Sequence, residues 1–347
     1  MTNRDVAELL ARKAEEKEGD WAKALRRAAR LAHVWPEEAA AIHEAGRPLT
    51  EMAGVGPAIA GLLGRWLEEP PPVPEPDTLR RDFLTLAEAR ADLADGGGAA
   101  LRGDLQMHTL WSDGSTTVAE MARGAAALGH KYIAITDHSK GLKIAGGIDE
   151  AALLEQEAEI TAVNAELEHD GLSLRVLRSL EMNVSPQGAG DMSPESLARL
   201  DLVLGSFHSQ LRKKEDQTER YLAAVENPDI QVLGHPRGRI YNFRLGLSAD
   251  WPRVFARVAE LGKAVECDCY PDRQDLNVEL LRVAAAEGCF VSIGTDSHHP
   301  VDLRNLDLGA AAVRRAGVEP ERVLNHWPAD RVIQWARALR ESGAAAD

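Results

Sequence analysis

Residues 103–114 read Gly-Asp-Leu-Gln-Met-His-Thr-Leu-Trp-Ser-Asp-Gly (GDLQMHTLWSDG). A short apolar run ends in His108, and an Asp-Gly turn follows at Asp113-Gly114. Six later stretches repeat this arrangement. YIAIT (132–136) leads to Asp137-His138, LRVLRSLE (174–181) ends at Glu181, and DLVLGS (201–206) runs into His208. IQVLG (230–234) is followed by His235, AVECDC (264–269) carries Glu266 and Asp268, and FVSIGT (290–295) leads to Asp296, His298 and His299. Helical patterns such as TVAEMARGAAALG and DWPRVFARVAELG lie between them. Continuous apolar strands alternating with helices form a parallel sheet covered on both faces. Seven such units predict an α/β fold, a distorted seven-stranded (β/α) barrel over 102–347, with further helices in 304–343.

In a parallel barrel every strand ends at the same face, which is where active sites of such folds lie. Five of the eleven histidines, His108, His138, His208, His235 and His298, should therefore converge with Asp113, Glu181 and Asp296. Imidazole with carboxylate is ligand chemistry for zinc, manganese and iron. Eight groups are too many for one tetrahedral ion and suit two or three divalent ions sharing a bridging carboxylate. Clustered cations neutralise a phosphate, lower the pKa of bound water and stabilise a leaving oxygen.

The chain has 347 residues, is 44% hydrophobic and carries a net charge of −15. That charge argues against a broad electropositive surface for duplex DNA, though not against local contact with a nucleic-acid end. No apolar run approaches the roughly 20 residues of a membrane span. The charged, amphipathic N-terminus has no signal-peptide core, so a cytoplasmic protein without membrane contact is expected. Cys267, Cys269 and Cys289 make no CxxC pair and are expected to be reduced.

Residues 1–69 read as a small all-α domain. In LTEMAGVGPAIAGLLGRWLEE a helix should stop at Gly54-Val55-Gly56 and another begin at Pro57. Such glycines leave backbone N–H groups at a helix N-terminus, a place to hold a phosphate. The pattern, with Leu49, Met52, Ala60 and Leu63 as its apolar face, resembles the helix-hairpin-helix motif of DNA-backbone-binding proteins. Gly54 and Gly56 are its candidate DNA contacts, together with Arg26 and Arg27. The segment has ten Lys/Arg against twelve Asp/Glu, and its one basic cluster is Lys23, Arg26, Arg27 and Arg30. A stiff PPPVPEPDT linker (70–78) follows. A helix over LRRDFLTLAEARADL and a flexible GGGAA joint then complete a connecting segment, 70–101.

DLQMHTLWSDG, AITDHS, EMNV, SFHS, GHPRGR and GTDSHH, in that order, resemble the motifs of the PHP (polymerase and histidinol phosphatase) family. The wider likeness is to bacterial family X DNA polymerases, which join a helix-hairpin-helix domain to a C-terminal PHP domain. The polymerase palm has no counterpart here, so no DNA synthesis is expected. The resemblance implies one metal site from position 106, His108, Glu181 and Asp296. It implies a second from Glu181, His208 and His235, and a third from Asp113, His138 and His298. Gln106 departs from the usual His-x-His, and a glutamine oxygen is a poorer ligand than imidazole for zinc or iron.

The expected activity is hydrolysis of phosphate esters through a metal-bound hydroxide, with two or three Mn, Zn or Fe ions. DNA is the expected substrate, cleaved as a 3′–5′ exonuclease or 3′-end phosphatase. A small-molecule phosphomonoesterase of histidinol-phosphatase type is one alternative, and a DNA-binding or scaffold protein weakened in catalysis is another. Arg237, Arg239 and Arg273 are candidate phosphate contacts. Arg212, Lys213 and Lys214 offer either a guide for a strand or a solvated loop. Asp137 is expected to orient a ligand from behind, and His299 to be a spare neighbour of His298.

Overall fold

The computed structural model describes residues 1–94 and 100–344. It forms two units, Met1–Gly97 with Ile240–Leu245, and Gly98–Arg239 with Gly246–Asp347. The glycine run expected as a joint, Gly96–Gly98, lies outside the described residues. Among the described residues no helix is long and apolar enough to cross a membrane.

The first unit holds α1 (Asn3–Glu15), α2 (Gly19–Leu31), α3 (Ala39–Glu44), α4 (Pro57–Glu68) and α5 (Leu86–Leu93). Thr2 and Asp5 form a capping box that starts α1. The apolar stripes of α1–α4, with Trp35 between α2 and α3, meet in a core that includes Val6, Leu10, Leu25, Ile42 and Leu63. The hairpin region differs from expectation at its first half. Leu49–Glu51 is a single 3-10 turn, not an α-helix. Gly54 has φ +75°, backbone that favours glycine, and a Cβ there would also meet Leu31 Cδ1 at 2.5 Å. Gly56 is the N-cap of α4 and Pro57 its first residue. Leu49, Met52 and Leu63 are buried, with Ala60 packed beside them.

The helix expected over 79–93 is broken. Thr78–Arg80 forms a 3-10 turn, and a Thr85/Glu88 capping box starts α5 six residues later. Arg80 is buried and held bidentately by Glu8 at 2.8 and 2.9 Å, with Glu15 at 2.7 Å. Asn242 Oδ1 accepts from the same guanidinium at 2.9 Å, and Tyr241 packs edge-on to His33 and Phe83.

The second unit contains β1 (Gly103–Asp104), α6 (Val118–Ala127), β2 (Tyr132–Ile135), α7 (Glu150–His169) and β3 (Arg175–Asn183). These are followed by α8 (Pro194–Leu197), β4 (Leu202–Ser206), α9 (Thr218–Glu226), β5 (Val232–Gly234) and α10 (Trp251–Glu260). Last come β6 (Ala264–Asp268), α11 (Val278–Ala286), β7 (Phe290–Gly294), α12 (Leu306–Ala316) and α13 (Ala329–Ala344). All seven strands are parallel and lie in sequence order. Hydrogen bonds from Leu105 N to Ile293 O, from His108 N to Ser297 O and from Asp296 N to Gln106 O lead from the last strand back to the first. The fold is thus a nearly closed α/β barrel.

The first strand is shorter than its apolar run, 104–108, predicts. Side chains replace ladder partners there. The Asp104 carboxylate accepts from Gln106 N and Thr295 N, and Met107 N donates to Thr136 Oγ1. Alternation along the strands makes two apolar cores. Tyr132, Ala134, Leu177, Leu202, Leu204, Val232 and Ala264 meet Trp327, Val332 and Ile333 of the C-terminal segment. Ile133, Ile135 and Val176 instead pack on α6 and α7 through Met121, Ala125, Ile160 and Val163. The first set fills one end of the barrel lumen. Leu204 is fully buried there, so Leu204→Ala should cost about 2–5 kcal/mol in urea denaturation, with an unchanged m-value.

Candidate metal centre

The residues that plug the lumen and those that line its mouth share one strand parity. From Tyr132 and Ala134 the count by twos reaches His138. From Leu177 it reaches Glu181, from Leu202 and Leu204 it reaches His208, and from Ala264 it reaches Glu266. The mouth is the C-terminal end of the same inner face.

Glu181 sits at its centre, 1% exposed. Oε1 lies 2.6 Å from His235 Nε2 and 3.1 Å from His208 Nε2. Oε2 lies 3.1 Å from His138 Nδ1 and 3.5 Å from His108 Nε2. His108 Nε2 is also 2.8 Å from Asp296 Oδ1. Asp113 Oδ1 faces His298 Nε2 at 3.3 Å, His138 Nε2 at 3.6 Å and His108 Nδ1 at 4.0 Å. The rings crowd one another, with His108 and His138 centroids 4.3 Å apart and His208 and His235 5.3 Å apart.

Three sets have their polar atoms close enough to share an ion: His108, Asp113, His138 and His298; His138, Glu181 and His208; and His108, Glu181 and Asp296. All eight expected residues therefore meet at one mouth, with His235 joining through Glu181. His235 and Asp296 have φ of +21° and +52°. Such backbone is costly for residues with a Cβ and gathers at functional sites.

The donor atoms fit divalent ions. His108 Nδ1 and Nε2, His138 Nδ1, Glu181 Oε2, His208 Nε2 and His235 Nδ1 are buried without an aligned hydrogen-bond partner. Burying that many unmatched polar atoms is costly unless a cation satisfies them. Electrostatics points the same way. Burial alone would raise the pKa of Glu181, yet His138, His235 and His208 hold it well below the usual carboxylate value. Asp113 is lowered too, as its histidine neighbours outweigh its burial. Burial lowers His208, whereas in His298 burial is overcome by Asp113 and Asp296, which push it up to about 9.

Around this core, His208 Nδ1 is 3.3 Å from Asn183 Oδ1, and His298 Nδ1 lies 2.7 Å from the Asp296 carbonyl. Asp137 does not face the cluster. It accepts from Thr109 N, Thr109 Oγ1, Ser112 Oγ and Gln156 Nε2, and so fixes the loop between His108 and Asp113. His299 caps the following 3-10 turn through Val301 N.

Gln106 is turned toward β6. Its amide nitrogen donates to Glu266 Oε1 at 2.6 Å and Oε2 at 3.2 Å, in the orientation that satisfies both groups. Glu266 Oε2 also accepts from His235 N at 2.7 Å. Sequence reading passed over Glu266 and Asn183 as site residues. The only signal for either was a polar group at the inward parity of an otherwise apolar strand.

The arginines are less free than their sequence suggests. Arg273 Nε lies 3.4 Å from Asp296 Oδ2, Arg239 is buried, and Arg237 is half-buried with interactions of its own. In the other unit, Arg26 and Arg27 are exposed on α2, and Gly54 and Gly56 are exposed ahead of α4.

A histidine–carboxylate cluster at the mouth of a parallel barrel can hold divalent ions, and with the family match that follows it is the centre of a metal-dependent phosphoesterase, a hydrolase of phosphate ester bonds. The PHP domain model matches residues 104–295, and the chain belongs to that family. It is 35% identical over 226 residues to the "DNA polymerase/3′-5′ exonuclease PolX" of Bacillus subtilis, a match covering 65% of this chain and 39% of that one. It is 27% identical over 234 residues to a "probable phosphatase" of Thermoanaerobacter sp., covering 64% of this chain and 89% of that one. Among solved structures, histidinol phosphate phosphatase of Lactococcus lactis aligns with a TM-score of 0.46 and 18% identity, over 63% of this chain and 94% of that one. That likeness is too slight to bear on chemistry.

A pH test follows from His298. Its pKa rises from an ordinary 6.5 to about 9 on folding. Protonation therefore stabilises the metal-stripped protein fully below pH 6.5, and this contribution is lost as pH rises through about 9. Chelator-treated protein should lose stability over that window in chemical denaturation, and His298→Gln should flatten the slope.

Proposed function

We propose that this chain trims DNA ends as a 3′–5′ exonuclease or 3′-end phosphatase. The observation that carries the reading is the similarity, at 35% identity, to a protein named for 3′-5′ exonuclease activity. The chain's match spans 39% of that relative, so the activity is carried over from a part and not from the whole. The glycine turn before α4, which leaves N–H groups at a helix N-terminus, supports a DNA backbone as ligand.

In this reading Glu181 would help to hold more than one ion, since its two oxygens face different histidine pairs. With it, His108 and Asp296 would hold one ion, His208 and His235 a second, and Asp113, His138 and His298 a third. When bound, manganese, zinc or iron there would supply charge neutralisation of the phosphate, a water of lowered pKa and stabilisation of the leaving oxygen. Gln106 is left to brace Glu266, and through it the backbone of His235. Arg273 holds Asp296 in place and offers its remaining donors to a phosphate.

A second reading, a phosphatase of small monoesters, is favoured by the "probable phosphatase" match, which covers 89% of that protein. The two readings part on substrate. Purified protein with Mn²⁺ should shorten an oligonucleotide with a free 3′ end stepwise, or release the phosphate from one ending in a 3′-phosphate, and also hydrolyse p-nitrophenyl phosphate. Turnover of the small ester alone would select the second reading. Glu181→Gln and His208→Ala should each lower turnover by more than about 100-fold, the upper range for losing even an outer ligand partner. Elemental analysis should show fewer metal equivalents in both. Full activity in either variant would refute the ligand assignment.

A further inference from the structure

The loops that follow the cluster histidines differ in character from a chain of net charge −15. The loop after His138 carries Lys140 and Lys143, and the loop after His208 carries Arg212, Lys213 and Lys214. Lys140 is paired with Glu150 at 2.6 Å. Lys143, Lys213 and Lys214 are exposed, and among the described residues their side chains have no ion pair or hydrogen bond. Both loops start from the cluster, where the His138 and His208 rings meet edge-on at 5.2 Å.

The first of these loops is rigidly built. Ser139 and Ile148 close it as a parallel bridge. Within it, Leu142 N donates to Ser139 O, Ala145 N to Leu142 O, Gly146 N to Lys143 O and Gly147 N to Leu142 O. Gly141 N is tied to Asp191, and a Cβ on Gly147 would lie 2.0 Å from Ser139 O. At the head of this ordered turn Ile144 is 96% exposed. Leu110, two residues beyond His108, is 61% exposed. The loops that present them touch, as a Cβ on Gly146 would be 3.3 Å from Ser112 O. Single exposed aliphatics need no explanation. Two on adjoining loops, one of them beside the unpaired Lys143, in loops that leave the histidines of a phosphoesterase centre, match a ligand with alternating anionic and apolar parts.

We propose that Lys143, Lys213 and Lys214, with Ile144 and Leu110, form a track for single-stranded nucleic acid leading to the scissile phosphate. The lysines meet backbone phosphates as point charges, and the aliphatic side chains lie against base faces. A small ester ends before it reaches them. The track rests on the nuclease reading above and adds where the strand beyond the cleaved bond would lie.

The test compares full-length wild type with Lys143→Glu, the Lys213→Glu/Lys214→Glu double variant and Ile144→Asp. Each is assayed with Mn²⁺ on an end-labelled single-stranded DNA oligonucleotide and on p-nitrophenyl phosphate, over a range of salt. Lys131→Glu, the same charge change before the opposite end of β2, is the control. The ratio of oligonucleotide to small-ester kcat/KM should fall at least tenfold in the three track variants, through KM, and hold in the control. The salt dependence of oligonucleotide binding should lose about one unit of slope per lysine replaced. A wild type that shortens the oligonucleotide while the track variants keep its ratio overturns the track alone. An equal fall in Lys131→Glu reduces the effect to net charge and also overturns it. A wild type that cleaves only the small ester overturns the nuclease reading, and the track with it.

Discussion

One buried carboxylate organises this molecule. Glu181, at the end of β3, presents both oxygens to imidazoles delivered by four other strands. A carboxylate in that position carries a heavy desolvation cost, and the histidines around it reverse the direction in which burial alone would move its pKa. No single strand can arrange this. The barrel must bring the ends of β1, β2, β4 and β5 to within hydrogen-bonding range of one side chain. The left-handed backbone at His235 and Asp296 is part of the cost.

The strands supply both stability and chemistry by dividing their length. Toward one end their inward residues are Leu177, Leu202, Leu204 and Val232, sealed by Trp327 and Ile333. Toward the other, the same parity yields Glu181, His208 and Glu266. An apolar plug therefore buttresses a polar mouth, and the rigidity of one fixes the geometry of the other. Loops can then add specificity at little cost to the core, and the hydrogen-bonded turn carrying Lys143 and Ile144 is the one proposed to do so here.

Legibility varied with how local each feature is. Strand type, order and parallel pairing followed from period and composition, and most of the eight cluster residues were readable because they lie within a few residues of a strand end. The length of β1 was not readable, because Asp104 and Thr136 intercept backbone groups that a propensity argument assigns to the ladder. Nor was the break at 81–85, which depends on Arg80 being clasped by Glu8 from α1. Gln106 looked like a weak metal ligand until its amide was seen to face Glu266, a residue 160 positions away in sequence.

By itself the sequence determined the alternation of strands and helices, the parity of inward residues, and the supply of imidazole and carboxylate at successive strand ends. These depend on near neighbours and on periods of two and 3.6 residues. Tertiary structure alone decided which oxygen of Glu181 faces which histidine, that Asp137 braces a loop instead of facing the cluster, and that Arg273 is already engaged by Asp296. It also decided that Ile240–Leu245 belongs with the helical unit. The physical reason is common to all four. Hydrogen bonds and ion pairs act over a few ångströms in space, and the chain distances they span here leave no periodic trace in the sequence.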